Sequence, residues 1–373
     1  MVQINLAKLA SSADDSAGAI TDTRGYVDEV LEKVCHGAAY GSNEARRIFL
    51  QSVKDAVNKA FDGWDEFACD ILVKTARLAE EDTAPKMYAV IDALYAKASE
   101  KAYSKWYNEF DALIRLEMIK ATKSAAEADA FIDVNLDINN IRRVAIQNAV
   151  NRNDYSVAET LCLEKLLDDA ARNSYSRPLE WRYLLFDVYD KSGDTQKKID
   201  TARDLLFRFD AKYYPVMKEL LTERGVWEQE YNGLLAELGN SLPYHMYMDI
   251  LSIEGESAKL LEAVRRHRES VFTYGKQLAE KFQDDVCAIC RDDIFRQAGE
   301  AENRPKYKKV CANIKRLFDY GGASEADSLI AELIEKYPRR PAFLEELDAM
   351  ADKLVKKRSK TGSPASVSLI HSR

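Results

Sequence analysis

Proline, glycine and histidine are scarce in this chain, at 8, 15 and 4 of 373 residues. So few prolines and glycines leave little of it irregular, and His36, His245, His267 and His371 offer few general bases or metal ligands. No apolar run approaches the ~20 residues of a spanning helix, so no membrane segment is read. Met1 to Ala19 carries one lysine and no continuous apolar run before SSADDSAG, which argues against a secretory signal. A formal net charge of −8 argues against a general phosphate-binding surface, because such surfaces rest on clustered cations. There is no glycine-rich phosphate loop, no HExxH, no GxSxG and no EF-hand spacing. Nor is there a sustained alternation of β-branched and polar residues, so no strand is expected. The six cysteines are scattered through helical patterns, which fits reduced thiols and a cytoplasmic protein better than a disulfide framework.

What is present is helical periodicity. Between Glu180 and Leu238 the pattern predicts four short amphipathic helices in a row. One carries Ile199, Ala202, Leu205, Leu206 and Phe209 on a single face; another carries Tyr231, Leu234, Leu235 and Leu238. Gly193 and Gly225 fall where a helix ends and the chain reverses, and they are 32 residues apart, about the step of a tetratricopeptide-like unit. Gly255 follows at a similar interval, and Gly321-Gly322 ends a later helix that Pro305 begins. Gly239-Asn240-Ser241 reads as a further turn, with Tyr244, Tyr247, Met248 and Leu251 facing inward beyond it. Upstream, Asn43 offers a helix cap, Gly37, Gly41 and Gly63 break the pattern, and a long helix buries Tyr103, Trp106, Phe110, Leu113, Ile114 and Met118. Arg177-Pro178 opens the central block. The expected organisation is a flexible arm over 1–20, an N-terminal helical lobe over 21–150, a hairpin solenoid over 151–355 and a disordered basic tail over 356–373.

The order of features from Ser192 to Glu237, with TARDLLFRFD, YYPVMKELL and a Trp-led helix ending LLAEL, resembles a bacterial family. So does Tyr307 to Met350, YKKVCANIKRLFDYGGASEADSLIAELIEKYPRRPAFLEELDAM. Both are similar to the helical C-terminal region of bacterial SWIM-type zinc-finger proteins, a run of helical hairpins that follows the finger. The resemblance covers about residues 30 to 355 and rests on packing residues and turns. The finger itself needs Cys-x-Cys followed by Cys-x-His, and no Cys-x-Cys occurs here. The resemblance therefore implies architecture, and carries over neither a nucleic-acid role nor a catalytic residue.

Each candidate for chemistry has a plainer reading beside it. Cys287 and Cys290, with Cys311 and His267, are ligand types that zinc accepts, but the cysteines lie on buried helical stripes where a thiol packs as a small hydrophobe. Cys35 and His36 are adjacent, which on a helix points them ~100° apart and away from a nucleophile–base pair. Asp14-Asp15, Asp168-Asp169, Asp284-Asp285 and Asp292-Asp293 read as helix starts or solvated faces. Two basic clusters remain, Arg265-Arg266-His267-Arg268 and Lys356-Lys357-Arg358 with Lys360. Tyrosine and tryptophan dominate binding hot spots, which singles out Tyr213, Tyr214, Trp227, Tyr231, Tyr244 and Tyr247. The expectation is an all-α solenoid of antiparallel, tetratricopeptide-like hairpins, non-catalytic, without cofactor or metal. It binds a protein partner on a concave helical surface through those six aromatics together with Arg265, Arg266 and Arg268. The alternative is an accessory subunit of a nucleic-acid-associated complex that uses the basic clusters.

Overall fold

Among the described residues, six of the nineteen helices stop in the same way. At Asn153, Gly193, Phe209, Gly225, Gly255 and Gly321 the backbone takes a positive φ of 60° to 99°. Each of these residues follows a helix end, and its N–H and that of the next residue donate back into the last turn, as in Asp194 to Tyr189 and Val226 to Leu221. Glycine reaches this left-handed conformation without the clash a Cβ brings, which is why Gly193 and Gly225 were legible as turns.

The computed structural model describes residues 2–10, 12, 18–36, 42–62, 64–99, 104–171 and 179–361. Among the described residues there are nineteen α-helices and no strand, and 86% of them are helical. Expectations placed on Asp14, Asp15, Gly37, Gly41, Gly63, Tyr103, Arg177, Pro178, His371 and the tail beyond residue 361 fall outside that set, as does the side chain of Lys360. The chain forms two compact units, Met1–Thr201 and Ala202–Arg373.

In the first unit α1 (Val2–Ala10), α2 (Ala19–His36), α3 (Ser42–Ala56), α4 (Asp65–Thr75) and α5 (Ala84–Ser99) gather around one core. That core includes Leu6, Phe49, Phe67, Leu72, Met87 and Ile91. Leu6 and Ala7 of α1 are part of it, so over Val2–Ala10 the expected flexible arm is corrected to a helix with one packed side. Asn43 lies inside α3 rather than capping it. Helix α6 (Ser104–Thr122) is buried on two sides: Ile114 and Met118 face the first core, Ala112 and Leu116 a second one. α7 (Ala125–Val134) is capped by a reciprocal box between Ser124 and Glu127. It shares the second core with α8 (Asn139–Asn151) through Ala128, Ile132 and Ile141. α8 packs in turn on α9 (Tyr155–Ala171) and α10 (Glu180–Ser192) around Ile146, Cys162, Trp181 and Val188. Residues 150 and 151 therefore lie within continuous packing, and the expected boundary there is corrected to Thr201–Ala202, inside α11 (Thr195–Phe207).

The second unit continues through α12 (Tyr213–Glu223), α13 (Trp227–Ser241), α14 (Tyr244–Ile253) and α15 (Ser257–Arg266). Next come α16 (Val271–Glu300), α17 (Arg304–Asp319), α18 (Ala323–Lys336) and α19 (Pro341–Thr361). Successive helices pack on one another, and α17 touches α16, α18 and α19. Helix α16 bends at Phe282, where φ is −135° and ψ 47°. Four sequence expectations change here. Phe209, expected on a buried stripe, is 58% exposed, because α11 ends at Phe207 and Phe209 occupies the left-handed cap position. Gly239 is not a turn but lies inside α13, where its missing side chain admits the ring of Tyr247. Tyr244, expected inward, is 46% exposed. The tail expected from residue 356 is helical to Thr361, since Lys357 pairs with Asp319, and Arg358 reaches Asp327 and the Ala323 carbonyl.

Ion pairs stitch one helix to another at a recurring interval. Arg143–Glu180, Lys197–Glu159, Lys218–Glu254, Arg291–Glu332 and Lys357–Asp319 join residues 36 to 41 positions apart. Apart from Lys218–Glu254, whose acid side chain is only 7% exposed, these are partly exposed pairs of small net worth, so their value is in register rather than stability.

Candidate functional site

The six expected aromatics divide into three settings. Tyr213 and Tyr214 open α12 and are 7% and 2% exposed, so most of each ring is core, alongside Met217 and Leu221. Trp227 and Tyr231 stand on the first turns of α13, immediately beyond the Gly225 turn, and are half-buried. Tyr214 meets Trp227 edge-on at 6.4 Å between ring centroids, and Trp227 meets Tyr231 at 5.1 Å. These three rings form one contiguous patch, the first pair in the edge geometry that ring quadrupoles favour and the second tilted at 49°. Tyr247 is half-buried on Gly239, and Tyr244 stands apart from the patch.

Charge around the patch is matched from within. The Lys218 ammonium lies 5.3 Å above the Trp227 ring and binds both Glu254 oxygens at 2.9 and 2.7 Å. Across the Gly255 cap, Glu256 accepts a hydrogen bond from the Tyr231 hydroxyl at 3.0 Å and pairs with Lys259 at 3.2 Å. Burial, then the hydrogen bond to Glu256, raises the Tyr231 hydroxyl above the ordinary phenol range. Tyr214 is raised too, by burial first and then by the Glu254 charge, and its buried hydroxyl has no well-aligned hydrogen-bond partner among the described residues. Lys218, Glu254 and Glu256 were not singled out from sequence. The available signal was a pair of acids flanking a capping glycine, Glu254-Gly255-Glu256.

Tyr244 has its own setting. Its ring stacks on His267 at 4.0 Å with the planes 9° apart, and His245 meets it edge-on at 5.8 Å. Of the basic cluster beside His267, Arg265 pairs with Glu262 and Asp285 at 3.0 and 2.8 Å, and Arg268 with Asp292 at 3.5 Å; Arg266 is exposed. The cluster is thus largely neutralised by acids of the same unit.

The cysteines are core residues. Cys287 and Cys290 lie on the buried side of α16 and Cys311 on that of α17, and burial pushes their thiols up to about 11, 12 and 12. Cys35 is buried on α2, and the adjacent His36 turns its Nδ1 to Glu32 instead. Among the described residues no group of three or more His, Cys, Asp or Glu side chains is placed to hold a metal ion. The chain matches no protein-family model, no curated protein and no solved structure.

Proposed function

We propose that the protein is a non-catalytic binding or scaffold protein whose helical hairpins form tetratricopeptide-like arrays. In this reading the second unit engages another protein on a concave surface through Trp227, Tyr231 and Tyr244, with Tyr247, Arg265, Arg266 and Arg268 at its border. The observation that carries it is the aromatic patch: the Trp227 and Tyr231 rings are held in fixed geometry against buried Tyr214, part of both left open, with neighbouring charges already paired so that little polar surface must be stripped of water. Tyr213 and Tyr214 support those rings from the core rather than touching a partner. The recurring turn and the ion pairs at one-hairpin intervals support the array, and the resemblance to the helical region of SWIM-type proteins agrees with it.

The test is affinity capture from a lysate of the source cells with the intact chain as bait, with and without nuclease, and in parallel with Trp227→Ala and Tyr244→Ala baits that keep their helical circular dichroism. The proposal expects a reproducible protein partner that survives nuclease and is lost from both variants. Recovery of only nuclease-sensitive material would overturn it in favour of the nucleic-acid-associated alternative. The internal pairing of Arg265, Arg268, Lys357 and Arg358 weighs against that alternative.

A further inference from the structure

In the first unit, between α9, α10 and the start of α11, lies an open cleft of about 420 Å³ whose walls include Tyr155, Glu159, Tyr189, Asp194 and Lys197. Glu159 is its central acceptor: the Tyr189 hydroxyl donates to it at 2.8 Å, and the Lys197 ammonium binds both its oxygens at 2.7 and 2.9 Å. The same ammonium is 3.8 Å from Asp194 and 5.4 Å above the Tyr189 ring. A cation thus sits in a box with carboxylates on two sides and an aromatic face on a third.

Most of the box is fixed without that cation. Tyr189 is only 6% exposed, on a helix anchored by Trp181 and Val188, and its hydroxyl orients Glu159. Asp194 is held at the start of α11 by the Lys197 backbone N–H, at 3.1 Å. Lys197 is the movable part. Its side chain is 47% exposed, on a flexible four-carbon stem, and an ion pair so exposed is weakly held. Without its ammonium the box presents two carboxylates and no matching charge.

We propose that this cleft is a receptor for the guanidinium of an arginine side chain in a basic peptide, with Lys197 as the resident occupant that the peptide displaces. Arginine is the chemistry of choice because its planar fork binds both Glu159 oxygens side by side and stacks on the tyrosine faces, whereas the ammonium of Lys197 is a point charge. The site lies in the first unit and does not depend on the aromatic patch of the second, so either can fail alone.

The test is a titration of the full chain, ¹³C-labelled at its valine methyl groups, with acetyl-Gly-Arg-Gly-amide and with its neutral citrulline counterpart, read at Val188, which lines the cleft. The arginine peptide is expected to shift the Val188 methyls saturably and the citrulline peptide to leave them in place. Lys197→Ala, a change at an exposed position, is expected to tighten binding by about two- to fivefold, the worth of a surface ion pair. Glu159→Gln, folded by circular dichroism, is expected to abolish the shift. Equal shifts from both peptides, no shift from either, or a Lys197→Ala chain that binds no tighter would each overturn the proposal.

Discussion

A thiol is nucleophilic only as the thiolate, and burial disfavours that form at every cysteine of this chain. Cys35, Cys69, Cys162, Cys287, Cys290 and Cys311 are all buried, with pKa values pushed up to between about 11 and 12, desolvation being the first cause at each. At pH 8 the thiolate fraction is on the order of one in a thousand or less. Alkylation by iodoacetamide is therefore expected to be slow at all six in the folded protein and fast at all six in urea; one fast native site would mean that a thiol sits in a more open or more positive setting. Tyr214 offers a second test at this scale. Its hydroxyl is buried without a well-aligned partner, so Tyr214→Phe is expected to be neutral or stabilising by up to about 1 kcal/mol in urea unfolding. A loss of more than that would show that the hydroxyl makes a bond worth keeping, with Glu254 the candidate. Single residues were legible where type alone decides burial, as with the leucines of α13. They were not legible for tyrosine, whose polar tip and apolar body let Tyr214 and Tyr244 take opposite settings.

At the scale of elements, the glycines separate by what surrounds them. Gly233 lies in α13 with open space where a Cβ would stand, so Gly233→Ala is expected to gain about 0.5–1 kcal/mol. Gly275 lies in α16 with the Tyr320 ring 2.5 Å from the same point, and the Tyr320 hydroxyl is anchored on the Phe272 carbonyl. Gly275→Ala is expected to lose about 1–3 kcal/mol, and the two variants measured side by side in urea check the sign of each. Phe209 fills a cap position with φ 73°, a conformation that costs a side chain about 1–2 kcal/mol. Phe209→Gly should relieve part of that and stabilise by up to about 1 kcal/mol, less the freedom glycine adds to the unfolded chain. Destabilisation by more than about 1 kcal/mol would mean that the ring's packing outweighs the strain. Helices and most turns were readable because a 3.6-residue stripe and a glycine are local signals. Phe209 and Gly239 misled the reading because each breaks the usual link between residue type and position, Phe209 by taking a turn that glycine favours and Gly239 by serving contact with Tyr247 rather than a turn.

At the scale of the whole chain, sequence gave the all-helical class but placed the division between units at residue 150, where α8, α9 and α10 share one core. A boundary is a property of long-range packing, and no composition shift marks α11 as its place. The candidate site shows the same limit: Trp227 and Tyr231 were identifiable as aromatics, but their partners Lys218, Glu254 and Glu256 come together only through the fold. The central claim is that the second unit binds a protein partner through the rings around α13 and α14. Its most direct test is hydrogen–deuterium exchange of the intact chain, free and saturated with the captured partner. The account predicts slowed exchange over residues 226–247 and, at the border of the surface, 265–268 on binding, with the rest of the second unit unchanged. Protection confined to other helices, with 226–247 exchanging as in the free chain, would contradict it.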